Sequence, residues 1–498
     1  MGDIINMILC GHSLEVLREI PAESVHMIMT SPPYWGKRSY KTTPRIWDGD
    51  PECEHDFNIK TETGDIRYRG VESSKVTFHK DFTAIEGDGR GYSCSICGAW
   101  KGELGHEPTP ELYIKHLCDI FDEGKRVLKP YGSCYVNLGD TYAATRSYQV
   151  DGSKQTPGSQ PEMRSSVKDI GILPKSQCCI PERFKIEMIN RNWIARNTII
   201  WYKPNATPES ATDRFTNNYE YLYFFTKNSN PLYWTNEKNM SLVQQQPKIS
   251  AEGIDWDWQP CKKCAGIGCQ KCSGMGKVKH TLWAGHDYYF EQQFEPYKQN
   301  RWGGKFKNNE NVKTSPKEKQ CGGQGSLNRK GYDCYPNPLG RNMRSVWKIK
   351  VSNFKGAHFA VYPEELCTRP ILAGCPEFVC KNCGMPRVKI LKPTGNTIGN
   401  SGYGSKTADH IRCSQTSSLL TKQVQEKALV GYSECECINP EYEPGIVLDM
   451  FSGSGTTVSV ALKLGRRGIG IDMNPEYVKM GTARIKPILE QTKIEAFT

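Results

Sequence analysis

Long hydrophobic runs are missing from this sequence, and apolar residues are scarce throughout it. They make up 37% of the 498 residues, and no apolar run is long enough to cross a bilayer. The first residues also lack a basic stretch followed by a cleavable apolar segment. These absences argue against a membrane partner and against export, and we expect a cytoplasmic protein.

An excess of negative charge is missing as well. The chain carries 65 lysines and arginines against 54 aspartates and glutamates, which gives a formal net charge of +11. Such a surplus suits a polyanion such as nucleic acid, although solubility alone would also explain it. The length allows roughly two to four structural units, and the low apolar fraction indicates polar insertions around a smaller core.

Cysteine, in contrast, is abundant, and many of the 21 cysteines form close pairs. In a reducing compartment such pairs hold zinc more often than they form disulfides. We predict three structural zinc sites, because four protein ligands leave no open position for catalysis. The three sets are Cys53, His55, Cys94 and Cys97; Cys261, Cys264, Cys269 and Cys272; and Cys380, Cys383, Cys435 and Cys437. The second set lies in a tandem C-x-x-C-x-G-x-G repeat similar to the zinc modules of J-domain chaperones, with two free pairs as the alternative.

The C-terminal part of the chain predicts a nucleotide-type site. Ile446–Asp449 is a short apolar run that ends in an acid, and the glycine-rich turn Phe451–Thr457 precedes a helical stretch. Gly453 and Gly455 let the backbone approach a ligand closely. A second strand then ends at Asp472, whose carboxylate can accept hydrogen bonds from both ribose hydroxyls of an adenosine group.

Two strands cannot form a stable sheet alone, so the N-terminal part must supply partners. It predicts strands at 5–10 and 25–29 with a helix at 13–20 between them. The second of these strands delivers Thr30-Ser-Pro-Pro-Tyr-Trp35 to the carboxyl edge, where open α/β sheets bind ligands. The later predicted elements are a helix at 109–121 and strands at 132–138, 197–202 and 220–225, of which the last two pair antiparallel.

The tetrapeptide Ser31-Pro-Pro-Tyr34, followed late in the chain by Asp449–Thr457, resembles the motif pair of the β-class S-adenosylmethionine-dependent DNA amino-methyltransferases. In that family the motif order is circularly permuted, so that catalysis precedes cofactor binding. The resemblance implies an α/β fold with a Rossmann-like methyltransferase mixed sheet. It also implies methyl transfer from S-adenosylmethionine to an exocyclic amine of double-stranded DNA.

Amino methylation explains the residue types of the tetrapeptide. The amine lone pair is conjugated into the base, and hydrogen bonds from the amine to Ser31 Oγ and the Pro32 carbonyl would free it. Pro33, like Pro32, has no competing N–H, and Tyr34 offers a flat face for a flipped-out base. In the family a serine at position 31 usually accompanies cytosine N4 and an aspartate adenine N6. Cytosine is therefore favoured, and adenine is the alternative.

The resemblance also implies where the cofactor lies. His12 stands where the family commonly has Gly-Asp beside the cofactor adenine, so it either hydrogen-bonds there or is an exposed loop residue. Asn137–Asp140 and Trp201–Pro204 resemble further motifs, and the latter would border the target-base pocket. The residues expected to bind the cofactor are His12, Pro363, Leu366, Asp449, Phe451, Gly453, Gly455, Thr456, Thr457, Asp472 and Asn474.

Three insertions interrupt the predicted core. The second is rich in lysine, glycine, asparagine and aromatic residues, which suits phosphate and base contacts, with a solvated loop as the alternative. Its place in the chain is where the family keeps its target-recognition domain. The predicted boundaries are core at 1–36, 105–235 and 441–498; a zinc-binding insertion at 37–104; a target-recognition region with a zinc knuckle at 236–344; a cofactor-pocket segment at 345–376; and a zinc-ribbon-like insertion at 377–440.

We therefore predict a bacterial or phage-type, site-specific DNA methyltransferase with up to three structural zinc ions. Two rivals stay open: an RNA or protein amino-methyltransferase, and a zinc DNA-binding protein without enzymatic activity. The sequence does not specify the recognition site, whether the chain forms a homodimer, or whether a restriction endonuclease accompanies it.

Overall fold

Both ends of the chain contribute strands to one eight-stranded sheet. The structure is a computed structural model that describes residues 4–37, 40, 42–57, 91–143, 172–209, 211–236, 241–244, 256–260, 277–281, 283–295, 341–351, 362–401 and 422–495. The strands of the sheet, numbered in chain order, are β1 (Met7–Cys10), β2 (Val25–Thr30), β3 (Leu128–Leu138), β4 (Ile194–Tyr202), β5 (Tyr219–Thr226), β6 (Val346–Lys348), β7 (Ile446–Asp449) and β8 (Arg467–Asp472).

The strands lie in the order β1-β8-β7-β2-β3-β5-β4-β6. Neighbours are parallel except for β5, which runs antiparallel to both β3 and β4. The antiparallel pairing predicted for 197–202 and 220–225 is confirmed, with Tyr202 opposite Tyr219. The predicted Rossmann-like mixed sheet is therefore confirmed. The C-terminal strands β7 and β8 lie between the N-terminal strands β2 and β1, which is how one sheet accommodates the unusual motif order.

Helices cover both faces of the sheet. Within the described ranges they are α1 (Ser13–Glu19), α2 (Pro110–Val127), α3 (Ile180–Asn190), α4 (Glu364–Gly374), α5 (Thr456–Lys463) and α6 (Pro475–Glu495). Ile28 of β2 packs into the core with α1, α2 and α3, whereas Met27 and Met29 pack into the core with α4 and α5. Every residue of β2 is buried, as expected for a parallel strand covered on both faces. None of the described helices has the length and apolar character needed to span a membrane.

The long helix α2 shows how local sequence sets these elements. Thr109 caps it by accepting a hydrogen bond from the Leu112 backbone N–H at 3.2 Å, and Pro110 occupies the first turn, where its missing N–H costs nothing. The helix continues to Val127, beyond the predicted end at residue 121. Gly124 lies inside the helix and packs closely against Met450, whose sulfur would lie 3.0 Å from a Cβ at this position.

The insertions form small sheets of their own. Arg45–Trp47, Tyr92–Ser93 and Trp100–Gly102 make a three-stranded sheet in the first insertion. A four-stranded sheet joins Trp283–His286 and Ser241–Val243 of the second predicted insertion and Glu434–Cys435 of the third to Tyr233–Asn236, which lies at the predicted end of the core. The remaining strands pair as Trp256–Pro260 with Lys277–Thr281, Phe294–Glu295 with Arg341–Asn342, Val379–Cys380 with Tyr442–Glu443, and Lys389–Ser401 with Lys422–Tyr432.

Candidate active site

A cavity of about 440 Å³ opens at the carboxyl ends of the central strands. Its walls include His12 after β1, Ser31 after β2, Phe451 after β7 and Asp472 at the end of β8. Parallel strands end at the same edge of a sheet, so segments from both ends of the chain meet here. The volume lies within the range of small-molecule sites, roughly 300–1,000 Å³.

The cavity wall includes the whole predicted catalytic tetrapeptide, Ser31, Pro32, Pro33 and Tyr34. The Pro33 carbonyl accepts a hydrogen bond from the Tyr113 hydroxyl at 2.7 Å, which ties the turn to α2. The Tyr34 ring packs on Gly139, where a Cβ would lie 2.6 Å from a ring carbon. A larger residue at position 139 would therefore displace the ring.

A buried hydrogen bond joins β2, which precedes the predicted catalytic tetrapeptide, to β7, which precedes the glycine-rich turn. Thr30 Oγ1 donates to Asp449 Oδ1 at 2.6 Å, and the Tyr362 hydroxyl donates to Asp449 Oδ2 at 3.1 Å. Asp449 is fully buried and does not line the cavity. Burial raises the pKa of this carboxyl, and the hydrogen bond from Thr30 opposes the shift. Asp449 thus links the two motifs through hydrogen bonds, at a buried position behind the cavity wall.

Two glycines of the glycine-rich turn have backbone conformations that favour glycine, and one of them, Gly453, lines the cavity. Gly453 and Gly455 have φ values of +50° and +73°, which side chains disfavour. The Gly453 N–H donates to Asp472 Oδ2 and the Asn474 N–H donates to Asp472 Oδ1, each at 2.8 Å. Burial raises the pKa of Asp472 to about 6, although these two N–H groups lower it in part. Each carboxylate oxygen keeps a lone pair for a hydroxyl of the ligand.

His12 is not an exposed loop residue. It is 8% exposed, lines the cavity and caps α1, where its Nδ1 accepts the Leu14 N–H at 3.2 Å. Burial, with the nearby charges of Arg45 and Arg18, lowers the pKa of His12 to about 3. The neutral ring therefore carries its proton on Nε2 and can donate one hydrogen bond.

The predicted cofactor residues divide into two groups. Five line the cavity, namely His12, Phe451, Gly453, Thr456 and Asp472. Six do not line it, namely Asp449, Gly455, Thr457, Asn474, Pro363 and Leu366. Thr457 illustrates the second group: its hydroxyl donates to the Met29 carbonyl at 3.3 Å and so fixes α5 to β2.

The sequence interpretation missed Glu220, a carboxylate in the cavity wall. Its Oε2 accepts a hydrogen bond from the Tyr34 hydroxyl at 2.8 Å, and its Oε1 forms an ion pair with Lys203. Lys203 Nζ in turn lies 4.3 Å from the centre of the Trp201 ring. The available signal was an acid within the aromatic stretch of β5, between Tyr219 and Tyr221.

Asn137, at the end of β3, lies between the tetrapeptide and Glu220. Its Oδ1 is 3.4 Å from Ser31 Oγ and 3.0 Å from the Tyr34 hydroxyl. Its Nδ2 donates to the Tyr221 carbonyl at 3.0 Å and to Glu220 Oε2 at 3.3 Å. Burial and the negative charge of Glu220 raise the pKa of Tyr34 well above its usual value, so the phenol keeps its proton.

Four predicted metal ligands of the first insertion converge. The ligand atoms of Cys53, His55, Cys94 and Cys97 all lie within 4.8 Å of one another. Sγ of Cys53 and Cys94 are 4.0 Å apart, and Cys97 Sγ is 3.3 Å from His55 Nδ1. Tetrahedral zinc with its usual bond lengths requires about 3.8 Å between two sulfurs and about 3.5 Å between sulfur and nitrogen. This donor set fits zinc.

The third insertion repeats this arrangement with Cys380, Cys383, Cys435 and Cys437, whose ligand atoms also lie within 4.8 Å of one another. Burial raises the pKa of Cys380, but the backbone N–H groups of Cys383 and Asn382 oppose it and lower the value to about 7. Such N–H groups favour the thiolate that zinc requires. The predicted ligands Cys261, Cys264, Cys269 and Cys272 lie outside the described residues.

The first insertion also contributes to the cavity. Tyr40 and Thr42 line it. Trp47 stacks on His116 of α2 at 4.4 Å between ring centres, and its edge meets His12 at 5.2 Å. His116 Nδ1 lies 3.1 Å from Glu107 and Nε2 lies 2.9 Å from Asp48, which anchors the insertion to the core.

Several known proteins are similar to this chain over most of its length. The N6/N4 methyltransferase family, described as DNA methylases, matches residues 25–378 and 437–483. The Type II methyltransferase M.XycI of Xanthomonas campestris pv. cyanopsidis is 23% identical over 478 residues, which cover 96% of this chain and 86% of that protein. M.SmaI of Serratia marcescens is 21% identical, with 96% and 90% covered. The solved PvuII DNA methyltransferase (cytosine-N4-specific) aligns over 97% of this chain and 89% of its own at 12% identity, with a TM-score of 0.36.

The family match covers most of the chain and includes the predicted catalytic tetrapeptide and the glycine-rich turn, and residues of both line the same cavity. The chain therefore belongs to the N6/N4 family of DNA methylases and is an S-adenosylmethionine-dependent DNA methyltransferase.

Proposed function

We propose that this enzyme methylates the exocyclic N4 amine of cytosine at a specific site in double-stranded DNA. The observation that carries the proposal is that Ser31 and the glycine-rich turn line one cavity. S-adenosylmethionine supplies an electrophilic methyl group on its sulfonium. The work of the chain is to bind this cofactor and to hold the target amine in line with it.

The cavity residues suit the cofactor. Asp472 can accept the ribose hydroxyls, because each of its oxygens uses only one lone pair on a backbone N–H. His12 Nε2–H can donate to a ring nitrogen of the adenine, since Nδ1 is already occupied by Leu14. The backbone of the glycine-rich turn, without side chains at Gly453, can follow the ligand closely.

The residues beside the tetrapeptide suit the target base. Ser31 Oγ and the Pro32 carbonyl are the acceptors for the amine, and Tyr34 provides the stacking face. Serine at position 31 is the feature that favours cytosine over adenine. Adenine N6 remains the second candidate, because both amines need the same two acceptors.

We also propose that zinc ions hold the insertions together without taking part in methyl transfer. The two described ligand sets each supply four protein donors, which leaves no open coordination position. A third ion would bind Cys261, Cys264, Cys269 and Cys272. Metal analysis should give a content approaching three zinc ions per chain, and a chain purified without zinc would contradict this part of the proposal.

One experiment decides the base. The enzyme is incubated with unmethylated DNA and S-adenosylmethionine, and the DNA is digested to nucleosides and analysed by mass spectrometry. N4-methylcytosine supports the proposal, and N6-methyladenine selects the second candidate. If methyl-labelled S-adenosylmethionine transfers its label only to RNA or protein, DNA is rejected as the substrate.

A variant pair tests the assignment of the tetrapeptide. We expect Ser31→Ala to lower kcat by roughly 100-fold or more, because the amine loses an acceptor in a dry site, while cofactor affinity stays near native. Tyr34→Ala should behave similarly through lost stacking. Ser24→Ala is the matched control, because its hydroxyl bonds only the Pro21 carbonyl before β2. Native turnover by Ser31→Ala would reject the catalytic assignment.

A further inference from the structure

We propose that Asn137 is a positioning residue that keeps the Ser31 hydroxyl a hydrogen-bond acceptor toward the target amine, and that Glu220 makes this possible by taking the proton of Tyr34. The inference rests on the proposed function, in which Ser31 accepts from the amine. It adds two residues that do not belong to the tetrapeptide or to the cofactor turn.

The need for such a residue follows from the chemistry of a hydroxyl. Serine has one O–H donor and two lone pairs, and its proton rotates toward the best acceptor nearby. A proton directed at the target amine would oppose the N–H groups of that amine and leave its lone pair conjugated into the ring. Ser31 therefore needs a fixed acceptor on the side away from the base.

Asn137 provides that acceptor. It is 1% exposed, and its Oδ1 lies 3.4 Å from Ser31 Oγ. The orientation of the amide is fixed, because the Tyr221 carbonyl at 3.0 Å can only accept and so requires the Nδ2 side. Glu220 Oε2, at 3.3 Å, also requires a donor from Nδ2. Oδ1 must therefore face the tetrapeptide.

Tyr34 competes with Ser31 for this oxygen. The Tyr34 hydroxyl is 3.0 Å from Asn137 Oδ1, closer than Ser31 Oγ, and it has a single proton to donate. The same hydroxyl is 2.8 Å from Glu220 Oε2. A carboxylate is the stronger acceptor, since hydrogen bonds to charged groups are roughly twice as strong as neutral ones. Tyr34 therefore donates to Glu220, and Asn137 Oδ1 is left for Ser31.

Glu220 is itself held in place. Its other oxygen forms the ion pair with Lys203, and both side chains are largely buried, with 18% and 17% of their surface exposed. Lys203 also lies over the Trp201 ring. Ser31 thus donates its proton to Asn137, and Tyr34 donates its proton to Glu220. Lys203 compensates the negative charge of Glu220.

The first test removes the acceptor. Asn137→Leu should lower kcat roughly 10- to 100-fold, the effect of losing a buried hydrogen bond that acts in the transition state. The dissociation constant of S-adenosylmethionine and the KM for DNA should change less than about threefold, because Asn137 acts through Ser31. Ser133→Ala is the matched control, since it removes a buried hydrogen bond, to the Gly374 carbonyl at 3.3 Å, from the same strand.

The second test uses the competition between Tyr34 and Ser31 for Asn137 Oδ1, and it does not require that Asn137→Leu folds. In Glu220→Met the Tyr34 proton turns to Asn137 Oδ1 and displaces that of Ser31, so kcat should fall roughly tenfold. Adding Tyr34→Phe to Glu220→Met removes the competing proton and should raise kcat severalfold. In the native background Tyr34→Phe should lower kcat, because Glu220 Oε2 loses the closer of its two donors and keeps only Asn137 Nδ2 at 3.3 Å. Tyr34→Phe should therefore raise kcat in the Glu220→Met background and lower it in the native background.

Two outcomes overturn the proposal: a double variant no faster than Glu220→Met although it binds cofactor normally, or an Asn137→Leu defect confined to KM or to thermal stability. A failure of the proposed function looks different. In that case Ser31→Ala itself keeps native turnover, whereas a failure of this inference alone leaves Ser31→Ala inactive and only the sign reversal absent.

Discussion

The first and third insertions contain the same local structure. Cys94-Ser-Ile-Cys97-Gly98 and Cys380-Lys-Asn-Cys383-Gly384 each form a tight turn in which the glycine N–H donates to the carbonyl of the first cysteine, at 3.0 and 2.8 Å. Both glycines have positive φ, +77° and +70°. Each turn supplies two of four converging ligands. The two cysteine turns are therefore expected to bind metal alike, although His55 is the fourth ligand of the first set and the other set has four cysteines.

Their attachments to the core differ. The first insertion packs beside the cofactor cavity, through the Trp47–His116 stack and the contact of Trp47 with His12. The third packs at the start of β3, where the Tyr131 hydroxyl donates to the Gly384 carbonyl, and its Cys435 pairs with Leu242 in the shared sheet. That sheet contains strands of the region expected to recognise DNA. The two insertions thus differ in their attachment to the core.

The largest expected effect separates the two metal sites. Cys97→Ser and Cys383→Ser should each lose about one zinc per chain, since three ligands hold structural zinc far more weakly than four. Cys97→Ser should weaken S-adenosylmethionine binding by at least about tenfold, because the insertion then no longer orders one cavity wall. Cys383→Ser should leave cofactor affinity within about twofold and reduce DNA affinity instead. Metal analysis and calorimetry measure these changes, and equal loss of cofactor affinity in both variants would contradict the comparison.

The next prediction removes the attachment and keeps the metal. Trp47 is 4% exposed, and Trp47→Ala should cost about 3 kcal/mol of packing between the insertion and α2. Cofactor affinity should fall while the zinc content stays native. Ile96→Ala is the control, because Ile96 is 67% exposed within the same cysteine turn. If Trp47→Ala binds the cofactor as tightly as Ile96→Ala does, the first insertion does not affect cofactor binding through the Trp47 contacts.

A pH titration gives a smaller and more specific effect. The folded pKa of Asp472 is raised from 3.8 to about 6 by burial, so its ionisation makes the cofactor-free fold less stable as pH rises through this window. The ionised form accepts the ribose hydroxyls, so cofactor affinity should be flat above about pH 6 and fall below it. Trp47→Ala should loosen the first insertion, whose Tyr40 and Thr42 line the cavity, and the added water should move this break to lower pH. Cys383→Ser should not move it. Calorimetry across pH 4.5 to 7.5 with Asp472→Asn as the pH-insensitive reference measures the shift, and an unmoved break in Trp47→Ala would contradict this link.

The sequence predicted the features that depend on neighbours along the chain. The strand at Ile446–Asp449 and the turn that follows Thr30 were predictable because local patterning and glycine positions specify them. Glu220 was not predictable, because its partner Tyr34 lies in the segment after β2, and β3 separates β2 from β5 in the sheet. The shared sheet of the second and third insertions was missed for a related reason. Its strands are two to four residues long, too short for a period to show.

The smallest prediction tests whether the two cysteine turns are equivalent. Gly98→Ala and Gly384→Ala each force a side chain into a left-handed conformation, at a cost of about 1 kcal/mol. Sterics add little, since among the described residues a Cβ at Gly98 meets no atom within 4 Å and one at Gly384 meets only Lys129 Nζ at 3.5 Å. Competition with a zinc-binding dye should therefore show similar losses of zinc affinity, roughly fivefold in each case. Only Gly98→Ala should also weaken cofactor binding when zinc is limiting. A clearly larger loss of zinc affinity in one variant would show that the turns are not equivalent. The different effects of Cys97→Ser and Cys383→Ser on cofactor binding would then reflect the metal sites as well as their attachment.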